Sequence, residues 1–165
     1  MSRTTRTPPL LDDDHAAFIA SGVSIIAAAA DEANVPSIER AVGCKVSSDR
    51  RRVTVYLTKR SAATLLEDLR RSGRIAVVFT HPPTHRTIQL KGDDAAVVPV
   101  AAADRRTVAG YVDTMVAVIG TLGNPEPLVR AMLACPPDEL TAVAFTPSSA
   151  FVQTPGPRAG TPLVR

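Results

Sequence analysis

The chain has 165 residues, 45% of them hydrophobic and 4% aromatic, with a net charge of +3 and no tryptophan. That length and composition fit one domain with a core of its own and exclude wholesale disorder. The basic residues come in short scattered runs (Arg50, Arg51 and Arg52; Arg70 and Arg71; Arg105 and Arg106), and so few aromatics leave little for base stacking, which argues against a nucleic-acid surface.

The most apolar stretch, 18–30, is too short to span a membrane and contains Gly22. Asp12, Asp13 and Asp14 separate the basic N-terminal residues from it, which a secretory leader tolerates badly, so the expected location is the cytoplasm. Cys44 and Cys135 form no C-x-x-C pair; two reduced, packed thiols are expected, with no metal.

In chain order, 1–12 carries Pro8 and Pro9 without periodicity and is expected to be a flexible arm. Asp14 can cap a short helix over 15–21, and 23–30 reads as a buried strand. The turn at 31–34 precedes Pro36. The next stretch, 37–46, alternates imperfectly and reads as one strand, with Ile38, Arg40, Val42, Cys44 and Val46 on one face. After a polar turn, 53–58 alternates as its hairpin partner. Ser61 can cap a helix over 61–71, whose Ala62, Leu65, Leu66 and Leu69 share one face and which ends at Gly73. Ile75, Val77 and Phe79 continue the sheet. The turn 81–85 holds His81 and His85, best read as solvated loop histidines. The long strand 86–98 carries Gly92 as a bend signal.

The second half is more helical. Asp104 can cap a helix through Leu122, a further turn or two runs toward Leu133, and Pro136 and Pro137 stop it. The stretch 141–147 is a last core strand, 151–154 extends an edge, and 155–165 is expected to be a flexible tail. Short hairpin-like connections in place of βαβ spacing point to a mainly β (α+β) fold: an antiparallel split β-barrel with peripheral helices, its body spanning 13–154. No dinucleotide, nucleotide or zinc-protease motif occurs.

Where a strand pattern gives way to a helix, the chain reads Thr58-Lys59-Arg60-Ser61. Hydroxyls and cations at a helix start suit an anion, above all a phosphate, although β-propensity and capping also account for Thr58 and Ser61.

Four stretches carry a resemblance: Phe18-Ile19-Ala20, Asn34-Val35-Pro36, Thr58-Lys59-Arg60-Ser61, and 86–92, Arg-Thr-Ile-Gln-Leu-Lys-Gly. With the ending Phe151-Val152-Gln153-Thr154-Pro155-Gly156-Pro157, their order and spacing resemble the FMN-binding split-barrel flavoproteins related to pyridoxamine 5′-phosphate oxidase. The resemblance implies a homodimer with FMN at the subunit interface and an FMN-dependent oxidoreductase acting on a small molecule that the sequence does not name. It implies cofactor contacts at Arg40 and Lys45, which match a basic pair five positions apart, and at Val42, Leu57, Thr58, Lys59, Ser61, Arg86 and Thr87. A phosphate at the start of the 61–71 helix, reached by Ser61 and Arg40, follows. There are two departures. Ala62 and Ala63 stand where the pattern has a basic residue after the serine, and Thr87 stands where it has glutamine. They leave an alternative open: a non-catalytic binding protein for haem, deazaflavin or another ligand, or a stress protein without flavin.

Overall fold

A computed structural model describes residues 8–163; residues 1–7 of the expected arm and 164–165 of the expected tail lie outside the described residues. The elements are α1 (Asp13–Ala20), β1 (Ser24–Ala30), β2 (Pro36–Arg40), β3 (Gly43–Val46), β4 (Val53–Thr58), α2 (Ala63–Ser72) and β5 (Ile75–Thr80). They continue with β6 (Thr87–Gly92), β7 (Ala96–Val98), α3 (Ala102–Gly120), α4 (Glu126–Met132), β8 (Leu140–Phe145) and β9 (Ser149–Val152). Two antiparallel sheets result, a five-stranded one in the order β2-β1-β5-β6-β9 and a four-stranded one in the order β3-β4-β8-β7, with the helices at the periphery. The expected antiparallel sheets and peripheral helices are present, and neither sheet closes on itself: the two are joined by crossing segments.

The crossings explain where the strand pattern misled. The stretch 37–46 is two strands in two sheets. The Ala41 N–H bonds to Ile25 in the first sheet, and the next N–H, of Val42, bonds to Tyr56 in the second. Gly43 follows at φ +152°, a conformation L side chains rarely adopt, with the rings of Tyr56 and Tyr111 against it. The long strand divides likewise. β6 ends at Gly92 in the first sheet, β7 starts in the second, and Asp93 and Asp94 make the corner by accepting from Ser148 and from the Thr146 N–H.

The facing sides form one core. Ile25, Ala27, Val77, Phe79, Ile88 and Leu90 of the five-stranded sheet meet Val53, Val55, Leu57, Val143 and Phe145 of the other. All four residues expected on the inner face of α2, Ala62, Leu65, Leu66 and Leu69, are buried in it. A smaller cluster, Val42, Tyr56, Leu140 and Ala142 with Val108 and Cys135, fills the back of the four-stranded sheet where α3 lies. β4 and β8 are therefore covered on both sides, which is why they read as near-continuous apolar runs.

Helix starts differ by small shifts with local causes. Asp12, not Asp14, caps α1, accepting from the His15 N–H at 2.8 Å. α3 starts after Ala101, and Asp104 reaches back to the Ala101 N–H at 2.8 Å from inside the first turn. Ser61 does not cap α2. The Ala62 N–H already bonds to Thr58, closing a turn ahead of the helix, and the Ser61 hydroxyl points back to the Thr58 carbonyl. Beyond β9 the chain returns: the Val152 N–H bonds to Thr161 and the Leu163 N–H to Ala150. Among the described residues, no helix is long and apolar enough to cross a membrane.

A Cβ at Gly92 would stand 2.7 Å from Phe145 Cδ2 and 2.9 Å from the Thr146 carbonyl oxygen. Both belong to the packed far side of the crossing, so Gly92→Ala is expected to destabilise the fold by about 1–3 kcal/mol, the cost of overpacking. The measurement is a urea titration: the midpoint should fall with its slope unchanged.

Candidate functional site

Strand alternation fixes what the five-stranded sheet shows to the outside. Ile25, Ala27 and Ala29 of β1 point into the core, so Ser24, Ile26 and Ala28 point out. Ile26 stands opposite Arg40 on one side and Val78 on the other; Ala28 stands opposite Ile38 and Ala76. Ile38 is 65% exposed. α2 packs on the other face, as the bond from Ser37 to Asp68 shows. The outward face is thus a shallow apolar field of Ile26, Ala28, Ile38, Ala76 and Val78.

A polar row borders this field. Arg40, half-buried at the end of β2, reaches diagonally to donate from Nη1 to Ser24 Oγ at 2.9 Å. Ser24 is opposite Thr80 on β5, and Thr80 is opposite Thr87 on β6, their hydroxyl oxygens 3.1 Å apart. The row therefore crosses four strands with one guanidinium and three hydroxyls. Arg40 makes no ion pair among the described residues; its side chain has only neutral Ser24 as a hydrogen-bond partner. Of the residues expected from the sequence, Arg40 and Thr87 share this row. Ser24 and Thr80 were missed, because a lone hydroxyl at a strand end carries no signal until strand register puts it beside a cation.

The remaining candidates go elsewhere. Val42 lies buried beneath α3, and the crossing removes it from the face of Arg40. Lys45 points to α3, where its ammonium pairs with the Asp104 carboxylate. Asp104 is 3% exposed and also accepts from the Tyr56 hydroxyl at 2.7 Å and from the Ala101 N–H. Burial alone would push the Asp104 carboxyl up, but the hydrogen bonds from Lys45, Tyr56 and Ala101 outweigh it and hold the pKa at about 2. Burial and the neighbouring carboxylate push the Tyr56 phenol far up, so it stays a neutral donor. Sequence spacing allowed Asp104 as a helix cap; nothing in it pointed to Lys45, 59 positions away.

Leu57 is fully buried in the core. Thr58 ends β4 opposite Leu140. Lys59 donates to the Asp138 carbonyl, and the Arg60 N–H donates to the Glu139 carboxylate at 2.9 Å. The turn into α2 thus already holds an acidic side chain of the chain's own, which works against a second anion there. Arg86 leaves the sheet for α1, bonded to Asp14 and stacked 4.3 Å over the Phe18 ring. His81 holds Thr84 within its own exposed turn.

A phosphate therefore fits one place and not another. The Ser24–Arg40–Thr80–Thr87 row offers a guanidinium lacking a carboxylate partner, with hydroxyls beside it, next to an apolar field large enough for a ring system. Lys45, neutralised by Asp104, and Ser61, turned to Thr58, do not join it.

No protein-family model matches the chain, and no curated protein does. Solved structures do match. The chain resembles an F420 reductase at 10% identity and a TM-score of 0.56, over 85% of this chain and 98% of that one. It resembles the HupZ protein of Group A Streptococcus at 13% identity and a TM-score of 0.53, over 91% and 99%. It also resembles a Lactobacillus delbrueckii protein described as a candidate pyridoxamine 5′-phosphate oxidase, at 12% identity and a TM-score of 0.52, over 92% and 100%. At such identities the likeness shows the fold alone.

The Asp104 cluster gives a pH prediction. A carboxyl held below its ordinary 3.8 stabilises the fold above that value and loses this contribution as pH falls toward the folded value of about 2. The wild type should therefore lose about 2 kcal/mol between pH 4 and pH 2 from this group. Asp104→Asn should be less stable at pH 6, and its stability should change less across that window. Urea titrations at stepped pH read both; parallel profiles would remove Asp104 from the account.

Proposed function

We propose that the protein binds FMN on the outward face of the five-stranded sheet, covered by the same face of a second copy, as a flavin-dependent oxidoreductase. The observation that carries this reading is Arg40: a half-buried guanidinium without an ion-pair partner among the described residues, bordering an uncovered apolar face. Arg40 with Ser24, and Thr80 opposite it on the next strand, would hold the phosphate, and Ile26, Ile38 and Val78 would take the apolar part of the ligand. When bound, the flavin supplies the redox chemistry; the chain's own residues bind, orient and shield it. The likeness to a protein described as a candidate pyridoxamine 5′-phosphate oxidase supports the redox reading.

One observation favours a second reading. Lys45, the partner of Arg40 in the basic pair of the resemblance, is neutralised by Asp104, so this chain presents one cation where that pattern implies two. A flavin-like ligand lacking a terminal phosphate, or a ligand carried without turnover, suits that lower charge. Independently of charge, the F420 reductase among the structural neighbours supports a deazaflavin as an alternative ligand.

Two measurements test the proposal. Titration of the purified protein with FMN and with riboflavin should show Arg40→Ala weakening FMN by about ten- to a hundredfold while riboflavin changes little, since a charge-assisted hydrogen bond contributes ~1.5–3 kcal/mol. Equal effects on both ligands would mean damage to the fold, and no effect on FMN would make Arg40 a solvated rim residue. For assembly, sedimentation should give a dimer, because an exposed apolar field of this kind is unusual on a monomer. Ile38→Arg, placing a charge on its exposed β2 side, should yield folded monomers that no longer hold FMN.

A further inference from the structure

The back of the four-stranded sheet carries a second cavity, unrelated to the outward face just described. It opens between α3, α4 and the loop that follows α4, and has a volume of about 340 Å³. Its floor is apolar: Val108 and Val112 from α3, Leu133 and Cys135 from the end of α4, and Leu140 from β8. Val108, Cys135 and Leu140 also belong to or pack against the small core cluster around Tyr56, so the floor is fixed by packing on the sheet.

The two ends of this cavity differ in charge. At one end Arg130 binds Asp113 at 3.0 Å and Glu126 at 2.7 Å, tying α4 to α3 with its charge answered. At the other end Arg105 donates from Nη1 to the Pro137 carbonyl at 2.7 Å and makes no ion pair among the described residues. That bond holds the guanidinium at the mouth with its other N–H groups uncommitted among the described hydrogen bonds. An apolar trough with one unanswered cation at one end selects a molecule with an apolar body and one terminal negative charge. The volume, at roughly 30 Å³ for each water-sized group, sets a length of about ten to twelve non-hydrogen atoms.

We infer that this cavity binds a medium-chain carboxylate, its chain over Val108, Val112 and Leu140 and its carboxylate on Arg105. A carboxylate there accepts from a guanidinium already aimed by Pro137, so little side-chain freedom is lost on binding. Asp113 faces the site too, paired with the Arg130 that it shares with Glu126, and it lies at the opposite end from Arg105.

Cys135 makes the occupancy measurable, because it lines the cavity and is half-exposed. The other thiol, Cys44, is fully buried, its pKa pushed up to about 12 by burial, and so is protected from alkylation. The experiment follows the rate at which N-ethylmaleimide labels Cys135 in the full chain, with octanoate as probe and 1-octanol as its neutral counterpart. Octanoate is expected to slow labelling saturably, with octanol at least about tenfold weaker. Arg105→Ala should weaken octanoate about ten- to a hundredfold, the range set by one charge-assisted hydrogen bond, and leave octanol unchanged. Arg105→Lys, keeping the charge, should recover part of the loss. Because Arg105 is exposed, the unchanged octanol response also controls for the fold. Equal protection by octanol and octanoate would overturn the inference, as would octanoate protection that survives Arg105→Ala. So would the absence of any protection at millimolar octanoate.

Discussion

Two crossings between sheets set the architecture, and the first of them separates Arg40 from Val42 and Lys45. At Ala41 and Val42, successive backbone N–H groups bond to strands of different sheets, so the two-residue alternation that runs through β2 cannot continue into β3. Arg40 stays on the outward face of the first sheet; Val42, two residues on, lies under α3 against the second. Gly43 supplies the backbone conformation for the step, at a φ of +152° that L side chains rarely adopt. The Gly92–Ala95 corner makes the same transfer in the opposite half of the fold, with the Ala95 N–H bonded to Gly73 so that the start of β5 and the corner hold each other.

Asp104 is what the second sheet depends on electrostatically. A carboxylate this deeply buried is tolerable because it has three donors, and the donors come from three places: β3, β4 and the start of α3. The cluster therefore sets the position of α3 as well as closing the cap of that helix. It also decides the chemistry of Lys45. A lysine in a charge-assisted bond to a buried carboxylate offers a ligand little net charge, whereas Arg40, whose partner is a serine hydroxyl, keeps all of its own.

What was legible in the sequence follows from how local each signal is. Alternation in 53–58 and 75–79, the i, i+3, i+4, i+7 face of α2 and its Gly73 ending all depend on neighbours within a turn or a strand, and all stand in the structure. The two long strands were misjudged because period-two patterning says nothing about which sheet a residue pairs into; only the glycines marked the breaks. For the candidate row, Arg40 and Thr87 stand out in the sequence only as separate residues, and their common row does not, because it exists only through the register of β2, β1, β5 and β6. Ser61 was misjudged for the opposite reason: a capping residue was present at the right spacing, but the Thr58 carbonyl and Glu139, brought in from 79 positions away, reorganised the turn around it.

The low identities to proteins of the same fold are consistent with this division of labour. Inward positions such as Ile25, Val77, Val55 and Val143 need only be apolar and of suitable volume, a requirement many sequences meet, so the two-sheet packing outlasts most changes in sequence. The polar positions are less interchangeable, because each one's role depends on its partner's charge. One carboxylate at Asp104 neutralises Lys45, and one at Glu139 accepts from the turn before α2. Both pairings leave the backbone in place. A chain can therefore keep this fold throughout while the charge each cation presents is set by its partner, as Arg40, answered by a hydroxyl, and Lys45, answered by a carboxylate, show.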